Sequence, residues 1–212
     1  ETMVKKLYIF MAHIDDFECS CYGYLFKHYK EYEKIYLVIA TMWENKRKII
    51  LNNLNELPDE IKNKIEYINL DFEARTLTDK FDSVKDKFYK MINWNEKFDM
   101  LTHDENDTHT DHRVLRDIGM GLYKYVDRYV TVYSPSSINF SPNYFIGLTK
   151  QNFKYKKDAL DKYDIQKEQS YSKLGYYLQS DEHYNIGRAY VLENFVNKDY
   201  EYYETYKILK WI

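Results

Sequence analysis

The stretch Leu7 to Glu18, with the sequence LYIFMAHIDDFE, decides the fold that we predict for this chain. Its first six residues are apolar and uncharged, as is typical of a buried strand in a parallel sheet. The residues from Cys21 to Tyr29 are able to form a helix. His13, Asp15 and Asp16 therefore lie where a first strand ends and a first helix begins. In open α/β sheets, ligands bind at this position, outside the carboxyl ends of the strands.

Four more apolar segments follow, and helical patterns separate them. Strands are predicted over residues 34–41, 65–70, 98–103 and 129–133. Helices are predicted over residues 46–57, 81–94 and 112–125. This alternation predicts an α/β fold with a doubly wound, mostly parallel sheet and right-handed crossovers, that is, a Rossmann-like three-layer sandwich.

The last third of the chain has a different pattern. It contains a loop at 134–137, a possible short strand at 143–148, and helical patterns at 154–172 and 188–195. No linker rich in glycine, proline or serine divides the chain. We therefore expect one domain over residues 1–212, with a Rossmann-like core at 1–133 and a C-terminal cap region at 134–212.

Composition argues against several classes of protein. The chain has 212 residues and a formal net charge of -3, and acidic residues interleave with its lysines. Nucleic-acid-binding proteins show a basic patch or stripe, so no nucleic-acid partner is expected. No apolar run approaches the ~20 residues that a membrane span needs. Cys19 and Cys21 do not form a disulfide framework, which favours a reducing, cytoplasmic location.

The first candidate site consists of His13, Asp15 and Asp16. Imidazole nitrogen and carboxylate oxygen are common ligands of divalent metals. Three other interpretations are open. In the first, Asp15 or Asp16 is the N-cap of the helix. In the second, His13 is a loop residue whose ring forms hydrogen bonds with the backbone. In the third, the two aspartates bind a magnesium ion that is linked to a phosphate.

The second candidate site lies at residues 102–112, with the sequence THDENDTHTDH, which holds three of the six histidines. His109 and His112 are three residues apart, so they share a face if they lie on a helix. The alternative is a solvated polar loop with Asp111 as the cap of the next helix. This stretch also follows a predicted buried strand. Both candidate sites are therefore expected at the same edge of the sheet.

Together the two stretches resemble the paired motifs of the PIG-L-like (LmbE-like) zinc deacetylases. The first motif of that family, A-H-P/A-D-D-x-E, corresponds to Ala12–Glu18, and the second, H-x-D-H, corresponds to His109–His112. Ser141–Ile146 and Tyr190–Phe195 resemble later parts of the family pattern. The resemblance implies a hydrolase that removes the acetyl group from an N-acetylated amino sugar or its conjugate.

The resemblance also implies a role for each motif residue. The implied zinc ligands are His13, Asp16 and His112. Asp15 is the implied general base, His109 stabilises the oxyanion or protonates the leaving amine, and Asp111 orients His109 or a metal ligand. Three protein ligands leave a position for water, as in catalytic zinc sites. Another divalent ion such as Fe²⁺ suits the same ligand types.

The sequence departs from the family pattern in three places. Ile14 stands where proline or alanine is usual. Ser20 and Tyr22 stand where glycines are expected, and only Gly23 is kept. The arginine that the family has early in its second helix has a loose counterpart in Arg47, which either contacts substrate or is an exposed helix charge.

Six further residues are weaker candidates. Glu18 braces a ligand or is an ordinary acid at a helix start, and His103 is a partner of the ligands or a strand-end residue. Asp71 and Arg75 are candidates for contact with a sugar hydroxyl. His183 reaches the site from the cap or lies in a solvated loop, and Cys19 either binds metal or is a small buried thiol of the first helix.

Two other functions remain open at this point. One is an amidase that removes a larger acyl group from a similar amine. The other is a non-catalytic sugar-binding module with the same fold. A nucleotide-binding protein is disfavoured, because no G-x-G-x-x-G follows the first strand.

Overall fold

Seven strands form one sheet in a computed structural model that describes residues 5–165 and 200–212. The strands are β1 (Lys6–Met11), β2 (Lys34–Thr41), β3 (Ile65–Phe72), β4 (Phe98–His103), β5 (Val126–Val132), β6 (Tyr144–Thr149) and β7 (Tyr200–Trp211). Their order in the sheet is β3-β2-β1-β4-β5-β7-β6. The first five in this order are parallel, and β7 runs antiparallel to both of its neighbours.

Helices cover both faces of the sheet. They are α1 (Ile14–Ser20), α2 (Tyr22–His28), α3 (Glu44–Glu56), α4 (Asp59–Lys62), α5 (Phe81–Tyr89), α6 (Thr110–Met120) and α7 (Lys150–Ile165). Alternate side chains of β1 point to opposite faces. Leu7 and Ile9 pack in one core with α1, α2, α3 and α7, and Tyr8 and Phe10 pack in the other with α5 and α6. The predicted three-layer α/β sandwich is confirmed.

Several element boundaries differ from those predicted. The helix after β1 is interrupted at Cys21, and the helix predicted to reach Trp94 ends at Tyr89. The helix predicted over 112–125 is α6, which begins earlier and ends at Met120. The end of the helix predicted over 154–172 and the whole of that predicted over 188–195 lie outside the described residues. Among the described helices, none is both long and apolar enough to cross a bilayer.

Strand β7 was not predicted from the sequence. It lies between β5 and β6, so part of the range 134–212 continues the sheet. Four consecutive residues at its centre, Tyr203 to Tyr206, are buried, and they include the charged Glu204. A carboxylate in the middle of a buried strand breaks the apolar pattern by which strands are recognised.

Glu204 is satisfied by partners on α2, on α7 and on its own strand. Its carboxylate pairs with Lys156 of α7 at 2.8 Å and accepts the backbone N–H of Gly23 at 2.7 Å. Tyr206 also donates its hydroxyl to Glu204, and Lys156 donates to the carbonyl of Cys19 at 2.6 Å. A Cβ atom at position 23 would lie 2.8 Å from the Glu204 carboxylate, which explains why this glycine is kept.

The order of the strands creates a crevice between β1 and β4. The chain leaves β1 towards β2 on one side, whereas β4 lies on its other side. Crevices of this kind, at the carboxyl ends of strands where the order reverses, are the usual ligand sites of doubly wound sheets. Both candidate sites of the sequence begin at these two strand ends.

The pair formed by Lys156 and Glu204 generates the first prediction. Both side chains are fully buried, so replacing one of them leaves the other charge without its partner. We expect Lys156→Met to lower the free energy of unfolding by about 3–5 kcal/mol, measured by urea denaturation. The matched control is Lys157→Met, which removes a half-exposed partner of Asp161 and should cost less than about 0.5 kcal/mol. Equal losses in the two variants would contradict this account.

Candidate metal centre

The end of β1 places His13 and Asp16 side by side. His13 is the N-cap residue of α1, with an extended backbone, and its N–H donates to the Asp16 carboxylate at 2.8 Å. Asp16 stands at the third helical position, from which a side chain reaches back to the N-cap. Neither Asp15 nor Asp16 is therefore the N-cap, contrary to one of the interpretations left open by the sequence.

The end of β4 leads through a polar loop to His109 and His112. His109 is the N-cap residue of α6, and its Nδ1 accepts the backbone N–H of Asp111 at 3.2 Å. Asp111 is thus not the helix cap. His112 follows in the first turn of α6 and is buried. The crevice between β1 and β4 brings this ring to His13.

Three donor atoms from His13, Asp16 and His112 form a nearly equilateral triangle. His13 Nδ1 lies 3.2 Å from His112 Nε2 and 3.2 Å from Asp16 Oδ2, and His112 Nε2 lies 3.3 Å from Asp16 Oδ2. Ligands about 2.0–2.1 Å from a tetrahedral zinc ion are separated from one another by about 3.3 Å. The triangle therefore has the dimensions of three corners of a tetrahedral metal site.

The second nitrogen of each histidine contacts a carboxylate. His13 Nε2 lies 3.1 Å from Asp111 Oδ2, and His112 Nδ1 lies 2.8 Å from Asp107 Oδ2. When these two nitrogens donate to the carboxylates, the lone pairs of the other two nitrogens face one another and Asp16. Such an arrangement is repulsive without a cation, and it is the usual way in which proteins orient metal-binding histidines. The donor set fits a divalent metal ion.

Asp111 contacts the His13 ring, and its own backbone N–H donates to His109. Its carboxylate also accepts the backbone N–H groups of Arg75 and Leu77, at 2.6 and 3.4 Å. The resemblance left open whether Asp111 orients His109 or a ligand, and the observed side-chain contact is with the implied ligand His13.

Sequence reasoning assigned no role to Asp107. This buried carboxylate contacts His112 and accepts the hydroxyls of Ser134 and Ser136, at 2.5 and 2.6 Å. It also accepts the backbone N–H of His109 at 2.8 Å. The sequence signal for this contact is an acidic residue five positions before the candidate ligand His112. Its two serine partners lie beyond β5 and gave no indication of their proximity.

Buried carboxylates raise the pKa values of His13 and His112. Burial opposes the charged ring of His13, but Asp16 and Asp111 outweigh this effect and raise its pKa to about 9. Burial likewise opposes the charged ring of His112, and Asp16 and Asp107 raise its pKa to about 10. Without metal, both rings therefore favour the protonated form at neutral pH.

His103, at the start of the second candidate site, has different surroundings. His103 is fully buried, its Nε2 accepts the N–H of Ala12 at 3.0 Å, and its ring stacks on His112 with centroids 3.8 Å apart. Burial first, and then the neighbouring His112, lower its pKa to about 3, so the ring is neutral. His103 thus supports the end of β1 and the His112 ring, one of the two alternatives predicted for it.

A cavity of about 160 Å³ opens beside the triangle. Asp15, His109, Cys19 and Arg75 line it together with the three donor residues. Cys19 is buried, and burial raises the pKa of its thiol. Asp71, the other candidate for contact with a sugar hydroxyl, is exposed and does not line the cavity. His183 lies outside the described residues.

Lys46, rather than Arg47, faces the cavity from α3. Its Nζ lies 3.7 Å from the Asp15 carboxylate and 4.0 Å from the centroid of the Trp43 ring, and the side chain is almost fully buried. Arg47 is exposed. Arg47 does not line the cavity, and its exposure agrees with the second alternative given for it, an exposed helix charge.

Glu18 contributes to the packing of the helices around the site. Its carboxyl is fully buried and accepts hydrogen bonds from Asn53 of α3 and Tyr163 of α7, at 2.8 and 3.1 Å. Burial raises the pKa of Glu18 to about 8. This residue braces α1, which carries Asp15 and Asp16, against two other helices.

The contact between Asp107 and His112 generates a prediction about metal affinity. We expect Asp107→Asn to weaken Zn²⁺ binding by about 10–100-fold in competition with a chromophoric chelator, because the amide holds the imidazole less firmly. Glu105→Gln is the control, since this exposed residue of the same loop pairs with Arg116 and Lys207 away from the triangle. An unchanged affinity in Asp107→Asn would show that this carboxylate does not support the ligand.

The raised pKa values generate a prediction about pH. Metal binding requires loss of the protons on His13 and His112, so affinity should rise between about pH 6.5 and pH 9. The stability of the metal-free protein changes with pH in the opposite direction. Its imidazolium–carboxylate pairs stabilise the fold fully below the unfolded pKa of 6.5, and this stabilisation is lost as the pH rises through 9 and 10.

The measurement is the difference in melting temperature with and without chelator-buffered Zn²⁺. We expect this difference to widen steadily from pH 6.5 to pH 9. A difference that is constant or narrows over the same range would mean that metal and protons do not compete for these two rings.

Comparisons with known proteins agree at the level of the fold. No protein-family profile and no curated protein sequence matches the chain. Several solved structures do match over nearly its whole length. The 4-carboxy-2-hydroxymuconate hydratase of Pseudomonas putida KT2440 is 16% identical with a TM-score of 0.66, covering 97% of this chain and 96% of the hydratase.

Several of the matching structures are deacetylases. The N,N'-diacetylchitobiose deacetylase of Pyrococcus horikoshii is 12% identical with a TM-score of 0.57, covering 96% of this chain and 83% of the enzyme. The zinc-inhibited form of the teicoplanin deacetylase Orf2 is 13% identical with a TM-score of 0.59, covering 96% and 97%. The chain therefore has the fold of the LmbE-like (PIG-L-like) deacetylases, as its two sequence motifs predicted.

Proposed function

We propose that this protein is a metal-dependent N-deacetylase that removes the acetyl group from an N-acetylated amino sugar or its conjugate. The observation that carries the proposal is the triangle of His13 Nδ1, Asp16 Oδ2 and His112 Nε2, which lies beside a cavity lined by a further carboxylate and a further imidazole. The deacetylases among the matching structures support the same chemistry.

The proposed metal is Zn²⁺, with Fe²⁺ or another divalent ion as the alternative. Two imidazoles and one carboxylate suit either ion, and availability in the cell decides between them. The zinc-inhibited form of one matching deacetylase makes the choice of metal an experimental variable. A divalent ion bound here supplies Lewis acidity, which makes a bound water acidic near pH 7 and polarises an amide carbonyl.

Asp15 is the proposed general base. Its carboxylate is largely buried, lines the cavity, and belongs to the residue adjacent to the ligand Asp16. Lys46 contacts it at 3.7 Å and limits the positions that the carboxylate adopts. A carboxylate held beside the attacking water is placed to accept its proton.

His109 is the proposed oxyanion donor. Because its Nδ1 accepts the N–H of Asp111, a neutral ring carries its proton on Nε2. The ring lies at the cavity, with its centroid 4.7 Å from that of His13 and 4.6 Å from that of His112. A fixed N–H beside the metal ligands favours a hydrogen bond to the negative charge that develops on the amide oxygen.

The size of the cavity favours a short acyl group. Pockets that enclose drug-sized ligands have volumes of about 300–1,000 Å³. A cavity of about 160 Å³ has room for an acetamido group and neighbouring atoms, whereas the rest of the substrate lies outside it. This observation supports a deacetylase over the alternative amidase for larger acyl groups.

The decisive experiment measures acetate release by the metal-loaded protein across N-acetylhexosamines and their conjugates. We expect turnover that requires metal, and a loss of about 10²–10⁴-fold in Asp15→Asn with the metal still bound at one ion per chain. Asp86→Asn, an exposed change on α5, is the control and should retain full activity.

Three results would contradict the proposal. Preference for acyl groups longer than acetyl would favour the amidase. Hydration of an unsaturated carboxylic acid without acetate release would favour a hydratase, which the same fold also supports. Binding of sugar without any turnover would favour the non-catalytic module.

A further inference from the structure

The backbone of Arg75 is held in an unusual conformation at the edge of the cavity. Its φ is 68°, in the left-handed region, which is uncommon for a residue other than glycine. The Asp111 carboxylate, which accepts its N–H at 2.6 Å, also contacts the His13 ring at 3.1 Å. Strained residues persist where the surrounding structure fixes them, and here the hydrogen bond to Asp111 fixes the backbone of Arg75.

The side chain of Arg75 differs from two other arginines of the structure. Arg116 is paired with Glu105 and Asp117, and Arg128 is paired with Glu31. Within residues 5–165 and 200–212, no acidic side chain pairs with the guanidinium of Arg75, although the residue is exposed and lines the cavity. Arginine presents planar donors that match a carboxylate or a phosphate bidentately.

A second cation lies at the same cavity. Lys46 is nearly fully buried and stands between Asp15 and the Trp43 ring. Lysine is rarely buried to this degree without a function or a partner, and Asp15 accounts for one of its contacts. The cavity therefore has cationic side chains on two separate elements, α3 and the loop after β3.

Because the cavity is small, only part of a sugar conjugate fits inside it. In the proposed reaction the N-acetyl group occupies the space beside His13, Asp16 and His112, and a cavity of about 160 Å³ leaves the rest of a sugar conjugate at its mouth. Arg75 is an exposed residue that lines this cavity, and the Asp111 carboxylate that accepts its backbone N–H also contacts the His13 ring. The backbone that carries this side chain is therefore held by the same carboxylate that contacts His13.

From this geometry we propose that the substrate carries an anionic group, a phosphate or a carboxylate, and that Arg75 binds this group while the N-acetyl group occupies the cavity. The inference rests on the proposed deacetylase function and defines its substrate class. Arg75 is a specificity-determining residue in this account and takes no part in the proton transfers.

The test compares substrates that differ only in charge. N-acetylglucosamine 6-phosphate and N-acetylmuramic acid provide the phosphate and the carboxylate, and N-acetylglucosamine is the neutral reference. The variant is Arg75→Gly, because glycine adopts the left-handed backbone and leaves the N–H to Asp111 in place. The control is Lys80→Gln, which removes one exposed positive charge from the same connection without touching the cavity.

We expect kcat/KM of the natural protein to be about tenfold or more higher for at least one anionic substrate. Arg75→Gly should remove this preference through KM, with less than about a threefold change for the neutral sugar. The control should keep the preference. Comparison of kcat/KM for N-acetylglucosamine 6-phosphate and N-acetylmuramic acid shows whether Arg75 prefers a phosphate or a carboxylate.

A binding measurement separates this inference from the proposed function. Calorimetry of glucosamine 6-phosphate and glucosamine with the metal-loaded protein should show tighter binding of the phosphate, lost in Arg75→Gly. If that result is found but no substrate releases acetate, the deacetylase proposal fails and the anionic ligand stands. Equal affinity for charged and neutral sugars, or an equal loss in Lys80→Gln, overturns the inference.

Discussion

The structure depends on the convergence of three electron-pair donors on one point at the crevice between β1 and β4. Two imidazole nitrogens and a carboxylate oxygen, each 3.2–3.3 Å from the others, repel one another unless a proton or a metal ion lies between them. The pKa values of His13 and His112 express this constraint, because both rings hold protons strongly when no metal is bound. The chemistry proposed for the protein follows from satisfying the same donors with a divalent cation.

The rest of the fold holds these donors in place. Asp111 and Asp107 orient the two rings, and Asp111 also fixes the loop that carries Arg75. Glu18 braces α1 from one side, and the ion pair of Lys156 with Glu204 ties α7 and β7 to the carbonyl and amide groups at the junction of α1 and α2. The last strand, far from the motifs in sequence, thus supports the helix on which Asp15 and Asp16 stand.

The features that could be predicted from the sequence are those that depend on the local pattern of residues along the chain. The bounds predicted for β2 and β4 are the ones observed, and the ends of β1 and β4 bring His13, Asp16 and His112 together as expected. Features that depend on tertiary contacts could not be predicted. Glu204 is compatible with a buried strand only because Lys156 and Gly23 meet it. Lys46 and Arg47 are adjacent, and only the rotation of α3 against the crevice decides which faces it.

A crystal structure of the protein soaked with Zn²⁺, with anomalous data collected at the zinc edge, tests the central claim most directly. The account predicts one strong peak bonded to His13 Nδ1, Asp16 Oδ2 and His112 Nε2 at about 2.0–2.2 Å, with a coordination position open towards the cavity. An ion bound instead through His103, or no peak within bonding distance of these three atoms, would contradict it.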